Sequence, residues 1–175
     1  LVGQLRGSLS LTQMMMNSVE LYRTLGEEVG LETGWHEVGS LRLASSSERM
    51  EELARQAGWA KTFGLPLELI SAQEAQRLFP PMSTDGVLGA AYLPTDGYLD
   101  PSQLTVPLAA GARKRGPVTA EETPVPAIEQ EAGWARRVGT AQGAIATERV
   151  PNPGGLLPRR APPLARALGP ASPRP

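Results

Sequence analysis

The nine residues 93–101, Leu-Pro-Thr-Asp-Gly-Tyr-Leu-Asp-Pro, join a β-like run to a helix. The β-like run covers Gly86–Leu93, and the Asp96-Gly97 pair that follows favours a tight turn with a positive φ at the glycine. Asp100 is placed to cap a helix whose first position is Pro101. A single carboxylate in such a turn is best explained by local hydrogen bonding, so we do not interpret Asp96 as a metal or phosphate ligand.

The residues before this stretch alternate between helical and β-like patterns. Apolar residues from Ser10 to Val29 recur at three- and four-residue steps, which predicts an amphipathic helix capped by Ser10 or Thr12 and ended by Gly30. The other predicted elements are a half-buried strand within His36–Ala44, a helix from Ser45–Glu48 to about Phe63, a helix capped at Ser71–Glu74 that stops at Pro80-Pro81, and the Asp100 helix, which runs to about Arg115.

After Gly116 the pattern changes to short strands. The predicted strands are Val118–Ile128, Trp134–Thr140 and Ala144–Val150, with turns at Glu131–Gly133 and Gln142-Gly143. Several prolines conflict with this interpretation, because proline cannot donate to a strand ladder. Beyond Val150 the chain is rich in Pro, Gly, Arg, Ala and Leu and has no acidic residue, which predicts a disordered basic tail rather than an interaction arm.

Composition excludes several classes of function. The 175 residues amount to about one domain, and 17 Lys and Arg against 18 Asp and Glu leave a net charge of −1, which does not favour a nucleic-acid partner. The chain has no cysteine and one histidine, so it has no disulfide framework, no thiolate metal site and no multi-histidine metal centre.

The chain has no stretch that predicts membrane insertion or secretion. No run approaches the roughly 18 apolar residues that span a bilayer, and residues 1–6 lack the features of a signal peptide. We therefore expect a soluble protein of the cytoplasm, or of the mitochondrial matrix if the source is eukaryotic. Because the chain opens without Met, inside an apparently apolar segment, we also expect it to be a fragment.

Four segments, in order and spacing, carry a resemblance to a known family. The chain resembles the D-amino-acid-oxidase-like FAD-dependent oxidoreductases, and especially the branch of dimethylglycine dehydrogenase, sarcosine dehydrogenase and the pyruvate dehydrogenase phosphatase regulatory subunit. The segments are Glu20-Leu21-Tyr22 with Glu27–Gly30, Gly34-Trp35-His36 with Gly39–Ala44, Leu93–Pro101, and Leu108–Gly116.

The resemblance implies a mixed α/β (α+β) fold. It consists of a partial FAD-binding Rossmann-like domain with an inserted antiparallel-sheet substrate domain. Residues 1–33 would be a helix of the FAD-binding domain, 34–99 the substrate-binding lobe, 100–155 the remainder of the FAD-binding domain, and 156–175 the tail. The N-terminal GxGxxG unit, whose backbone amides hold the FAD pyrophosphate in this family, does not occur in the sequence.

The resemblance also supplies candidate cofactor-binding residues. Val125 matches the valine of a strand that contacts FAD, and Asn152, Gly154 and Gly155 match the small-residue end of a later strand. Pro151 and Pro153 depart from that pattern, at a cost of about 1–3 kcal/mol each through an unpaired partner or strain.

No catalytic residue can be assigned from the sequence. His36 does not match the family's flavin-attachment histidine, so we interpret it as a structural or substrate-domain residue. Arg42 could pair with a substrate carboxylate, but a solvated arginine on a strand face is the simpler interpretation.

The function that the resemblance implies is oxidation of an N-methyl amine such as dimethylglycine or sarcosine. Hydride passes to flavin, and the iminium product is hydrolysed or captured by a folate. The alternatives are a non-catalytic regulatory or interaction protein on the same scaffold, and a degenerate inactive fragment. Because the Gly-rich turn is missing, we predict that the isolated chain binds no FAD and dehydrogenates nothing. Flavin absorbance that survives gel filtration would contradict this prediction.

Overall fold

A computed structural model of the chain describes residues 1–131 and 134–151, which contain four helices and three antiparallel sheets. The mixed α/β class is therefore confirmed. The chain divides into two compact units, of which the first is Leu1–Val118 and the second begins at Thr119. The division at residues 33, 99 and 155, which rests on the resemblance, stays a prediction, and the predicted tail lies outside the described residues.

All four predicted helices form, and each begins after a side chain that accepts a hydrogen bond from a backbone N–H in the first turn. The helices are α1 (Leu9–Val29), α2 (Ser47–Thr62), α3 (Ala72–Leu78) and α4 (Pro101–Lys114), with caps Ser8, Ser46, Ser71 and Asp100. The α1 cap was predicted at Ser10 or Thr12, which is wrong: Ser8 is extended and accepts from the Leu11 N–H. Gly30 ends α1 with φ 73°, as predicted.

Helix α3 begins with the reciprocal capping that its sequence predicts. The Glu74 N–H donates to Ser71 Oγ at 3.2 Å, and the Ser71 N–H donates to Glu74 Oε2 at 2.8 Å. The bond from the Ser71 backbone lowers the pKa of the Glu74 carboxyl, since it favours the charged form.

The first unit contains a three-stranded antiparallel sheet in the order β2-β4-β3. These strands are β2 (Ser40–Ala44), β3 (Glu68–Ile70) and β4 (Gly89–Leu93). Helix α2 packs on one face, where Leu53 meets Ala44 and Ala91 in a buried cluster. Two short strands, β1 (His36–Glu37) and β5 (Gly97–Tyr98), form a separate antiparallel pair.

Strand register decides which side chains lie on the other face of the three-stranded sheet. Leu41 pairs with Tyr92 and Leu43 pairs with Ala90, while Arg42 pairs with Ala91. Because side chains alternate along a strand, Leu41, Leu43 and Tyr92 lie on the face opposite α2.

The prediction of a positive φ at Gly97 is wrong. Gly97 is a strand residue of β5 and is not among the glycines with a positive φ. A Cβ at residue 97 would overlap the backbone carbonyl of His36 on the paired strand β1, and it would also lie 2.7 Å from the Trp35 ring. Glycine is therefore required at this position by close backbone approach rather than by the sign of φ.

Helices α1 and α4 pack together at a glycine. A Cβ at Gly111 of α4 would lie 3.1 Å from Leu25 Cδ1 and 3.4 Å from Val29 Cγ1 of α1, so the two helices approach closely there. Helix α4 also continues through the buried Pro107, which has no N–H to donate to the carbonyl one turn earlier.

The second unit is an antiparallel sheet in the order β6-β7-β8. Its strands are β6 (Ala127–Glu131), β7 (Trp134–Thr140) and β8 (Gly143–Ala146). The first predicted strand, Val118–Ile128, begins only at Ala127. Pro124 and Pro126 therefore lie before it, which resolves their conflict with strand pairing.

In the described part of the chain, no helix is long and apolar enough to cross a membrane. The same residues contain no group of three or more His, Asp or Glu side chains arranged to hold a metal ion.

Candidate functional site

Asp96 organises the first unit around one buried carboxylate. Its side chain is 0% exposed and accepts hydrogen bonds from the Gln4 backbone N–H at 2.8 Å, from Gln4 Nε2 at 3.2 Å and from Ser40 Oγ at 2.6 Å. These partners lie 92 and 56 positions away in the chain, so the prediction of local hydrogen bonding is wrong. The carboxylate joins the N-terminal segment, β2 and the end of β4 into one structure.

Backbone bonds around the same turn hold two further segments. The Gly39 N–H donates to the Asp96 carbonyl at 2.8 Å, while Val2 and Gly97 exchange backbone hydrogen bonds of 2.8 and 3.2 Å. Since Gly39 immediately precedes β2, the turn fixes where β2 enters the sheet. The residues 93–101 therefore position the open face of the sheet.

That open face forms one wall of an apolar cavity of about 470 Å³. We call it the sheet cavity. Its lining contains no charged side chain among the described residues, and Phe79, one of the lining residues, is 54% exposed. The lining residues are Leu1, Val38, Gly39, Ser40, Leu41, Leu43, Leu78, Phe79, Met82 and Tyr92.

Tyr92 reaches its place in the sheet cavity because residue 39 is glycine. The Tyr92 ring and hydroxyl occupy the space where a Cβ of residue 39 would lie. The backbone of Gly39 also has the positive φ that other residues rarely adopt. The result is an apolar cavity with an aromatic ring and a phenolic hydroxyl among its lining groups, which suits a small, weakly polar molecule.

Of the predicted cofactor-binding residues, only Val125 is described. It is half-buried in the segment before β6, in the second unit. Asn152, Gly154 and Gly155 lie outside the described residues. The proposed cofactor contacts therefore stay predictions.

His36 and Arg42 do not line the sheet cavity. His36 is exposed on β1 and stacks on Tyr98 of β5, with ring centroids 4.9 Å apart. Arg42 is half-buried on the α2 side of the sheet and donates to Gln56 Oε1 at 2.8 Å. It is therefore not placed to bind the carboxylate of a molecule in the sheet cavity.

Comparison with known proteins gives a consistent family match. A family model described as "FAD dependent oxidoreductase" matches residues 2–172. Human mitochondrial dimethylglycine dehydrogenase is 35% identical over 154 residues, which cover 86% of this chain and 17% of that protein. Human mitochondrial sarcosine dehydrogenase is 36% identical over 139 residues, which cover 77% of this chain and 15% of that protein.

A solved structure shows the same similarity in three dimensions. The L-proline dehydrogenase of P. horikoshii superposes with a TM-score of 0.81 at 28% sequence identity. The match covers 93% of this chain and 44% of that chain. The chain thus spans less than a fifth of the two human relatives and less than half of this solved relative.

Proposed function

Because this chain belongs to the family of FAD-dependent oxidoreductases, we propose that it supplies the substrate side of an enzyme that oxidises an N-methyl amine such as dimethylglycine or sarcosine. The observation that carries this proposal is the match of residues 2–172 to the family model. The sheet cavity is the candidate site: it offers an apolar, partly aromatic surface to the amine end of the substrate, and no side chain of its described lining pairs with the substrate carboxylate. Two relatives whose names specify N-methylated glycines support the choice of substrate.

The residues of the sheet cavity fit one part of FAD and not another. Leu41, Leu43 and Tyr92 present an apolar, partly aromatic surface of the kind that covers a flat ring system such as that of flavin. The pyrophosphate needs a Gly-rich turn at a helix N-terminus, and the sequence contains no GxGxxG. Val125, Asn152, Gly154 and Gly155 are our proposed contacts for the dinucleotide.

When bound, FAD would supply the hydride acceptor for oxidation of the N-methyl carbon. The contribution of this chain is to desolvate and orient the amine. Burial in an apolar cavity disfavours the charged form of an amine and so lowers its pKa, and no carboxylate side chain lines the described cavity to hold an ammonium. A neutral amine needs no general base, which agrees with the absence of a titratable side chain other than the Tyr92 phenol in that lining.

Two further parts of the proposal concern the fate of the product and the location of the protein. The iminium is hydrolysed or passes its one-carbon unit to a folate. The human relatives are mitochondrial by name, so for a eukaryotic source we propose the mitochondrial matrix, and otherwise the cytoplasm.

The proposal can be tested in a chimera, because the chain matches one continuous stretch of human dimethylglycine dehydrogenase. Residues of this chain replace the matched 154 residues, and the chimera is purified with its flavin. We expect Tyr92→Ala to slow flavin reduction by dimethylglycine about tenfold, because the amine loses an aromatic contact worth roughly 1.4 kcal/mol. The measurement is stopped-flow flavin absorbance under anaerobic conditions.

Tyr98→Ala is the matched control, since Tyr98 is 48% exposed and does not line the sheet cavity. It should leave the rate of flavin reduction within about twofold of the parent chimera. Equal rates in the Tyr92→Ala chimera and the parent, with equal flavin content, would refute a substrate role for the sheet cavity.

A further inference from the structure

A second, smaller cavity of about 250 Å³ lies in the first unit, where the N-terminal segment meets β2 and α2. We call it the arginine cavity. Its lining is Leu5, Arg6, Gly7, Arg42, Gln56 and Trp59. Both charged groups among these residues are guanidiniums, so the lining carries positive charge only.

Neither guanidinium forms an ion pair with a carboxylate within the described part of the chain. Arg6 Nη1 donates to the Leu5 carbonyl at 3.2 Å, and Arg42 Nη1 donates to Gln56 Oε1 at 2.8 Å, which are both neutral acceptors. By contrast, Arg49 and Arg55 of α2 pair with the carboxylates of that helix. Each cavity arginine keeps further N–H donors for another acceptor, and a carboxylate is the acceptor that matches their planar geometry.

Arg42 is held in place by a chain of side-chain hydrogen bonds. Gln56 Nε2 donates to Glu52 Oε1 at 2.9 Å, which turns the Gln56 carbonyl oxygen toward Arg42. Glu52 in turn accepts from Arg49 at 2.6 Å. The acidic residue nearest in this network is therefore engaged with Arg49 and Gln56, and it is not among the residues that line the arginine cavity.

The lining of the arginine cavity also includes an indole ring. Trp59 of α2 is 51% exposed, although large aromatic side chains contribute most to stability when they are buried. An exposed ring beside two guanidiniums that form no ion pair offers one apolar surface and one cationic surface within the same 250 Å³. That volume admits a single ring bearing a carboxylate but is small for a nucleotide.

We propose that the arginine cavity binds a small aromatic carboxylate, with its carboxylate between Arg6 and Arg42 and its ring against Trp59. The cavity contains Arg42, which is on the α2 side of the sheet, whereas the sheet cavity contains Leu41, Leu43 and Tyr92 of the opposite face. The ligand of the arginine cavity is therefore not the amine substrate. It occupies a separate site that does not depend on flavin.

The test is a titration of the purified 175-residue chain with benzoate, followed by the indole N–H signals in ¹H–¹⁵N NMR. Trp59→Phe assigns the Trp59 signal among the three tryptophans. We expect a saturable shift of that signal. Arg42→Gln and Arg6→Gln should each weaken benzoate binding by at least about tenfold, since each removes a charged hydrogen-bond donor.

Arg55→Gln is the matched control, because it removes the same charge from α2 at a residue that does not line the cavity. It should leave benzoate binding unchanged within about twofold. The proposal is overturned if the Trp59 signal shows no saturable shift, or if Arg55→Gln weakens binding as much as Arg42→Gln. It is also overturned if acetate or orthophosphate binds as tightly as benzoate, because the ring would then contribute nothing.

Discussion

Replacing Asp96 with alanine is expected to lower the free energy of unfolding by about 3–5 kcal/mol, which is a large part of the stability of a domain of this size. The change leaves the Gln4 backbone N–H and the Ser40 hydroxyl without their buried acceptor, while the Gln4 amide keeps its bond to Thr95 Oγ1. A buried donor that loses its acceptor destabilises the protein by more than the net stabilisation that the lost hydrogen bond provided. Urea unfolding followed by far-ultraviolet circular dichroism measures the difference.

Two variants make the Asp96 result specific. Asp85→Ala removes an exposed carboxylate in the loop before β4, and it should change the free energy of unfolding by no more than about 0.5 kcal/mol. Asp96→Asn keeps one carbonyl acceptor and should fall between the parent and Asp96→Ala. An Asp96→Ala protein as stable as Asp85→Ala would show that the buried hydrogen bonds do not hold the N-terminal segment to the sheet.

The second large effect is expected at Gly97. Gly97→Ala should lower the free energy of unfolding by about 2–4 kcal/mol, because the new methyl group overlaps the His36 carbonyl and the Trp35 ring. The paired strands β1 and β5 must separate to admit it, and the backbone bonds between Val2 and Gly97 are then strained as well. Thermal unfolding followed by circular dichroism measures this loss.

Gly58→Ala is the matched control for Gly97→Ala. Gly58 lies inside α2, and a Cβ there would meet nothing within 4 Å. The same substitution should therefore stabilise the protein by about 0.5–1 kcal/mol through helix propensity. If Gly97→Ala were as stable as the parent, the close approach of β5 to β1 would be contradicted.

The helices could be predicted because their determinants are local. Ser71 and Glu74 lie within one helical turn of each other at the start of α3, and Asp100 and Pro101 are adjacent at the start of α4. The strand boundary at Ala127 was missed for a local reason that the sequence did contain, since Pro124 and Pro126 forbid ladder donation.

The sequence predicts a turn and a helix start within residues 93–101, but it does not predict the long-range contacts that this stretch makes. Asp96 bonds to Gln4 and Ser40, which are far away in the chain, and nothing in the turn itself identifies them. The need for glycine at 97 likewise comes from β1, a strand of two residues with no distinctive pattern. Both signals exist only after the strands have paired.

The two cavities also depend on tertiary structure. Because successive side chains of a strand point to opposite faces, the sequence predicts that Leu41 and Arg42 lie on opposite faces of the sheet. It does not predict which of the two faces a helix covers. The register of β2 with β4 brings Tyr92 beside Leu41, while Gln56 of α2 reaches Arg42. From the sequence, a solvated Arg42 was the simpler interpretation than a carboxylate-binding one, because its neighbours Arg6 and Trp59 lie far away in the chain.

The proposed role in N-methyl amine oxidation is tested by the substrate preference of the chimera with human dimethylglycine dehydrogenase. Dimethylglycine, sarcosine and glycine are mixed anaerobically with the flavin-containing chimera, and loss of the oxidised flavin spectrum is followed. We expect the two N-methyl amines to reduce the flavin and glycine to do so at least about a hundredfold more slowly, because only the former offer an N-methyl carbon to donate hydride. A chimera that retains flavin but is reduced by none of the three, or by glycine as fast as by sarcosine, would show that this chain does not supply the substrate side of an N-methyl amine oxidoreductase.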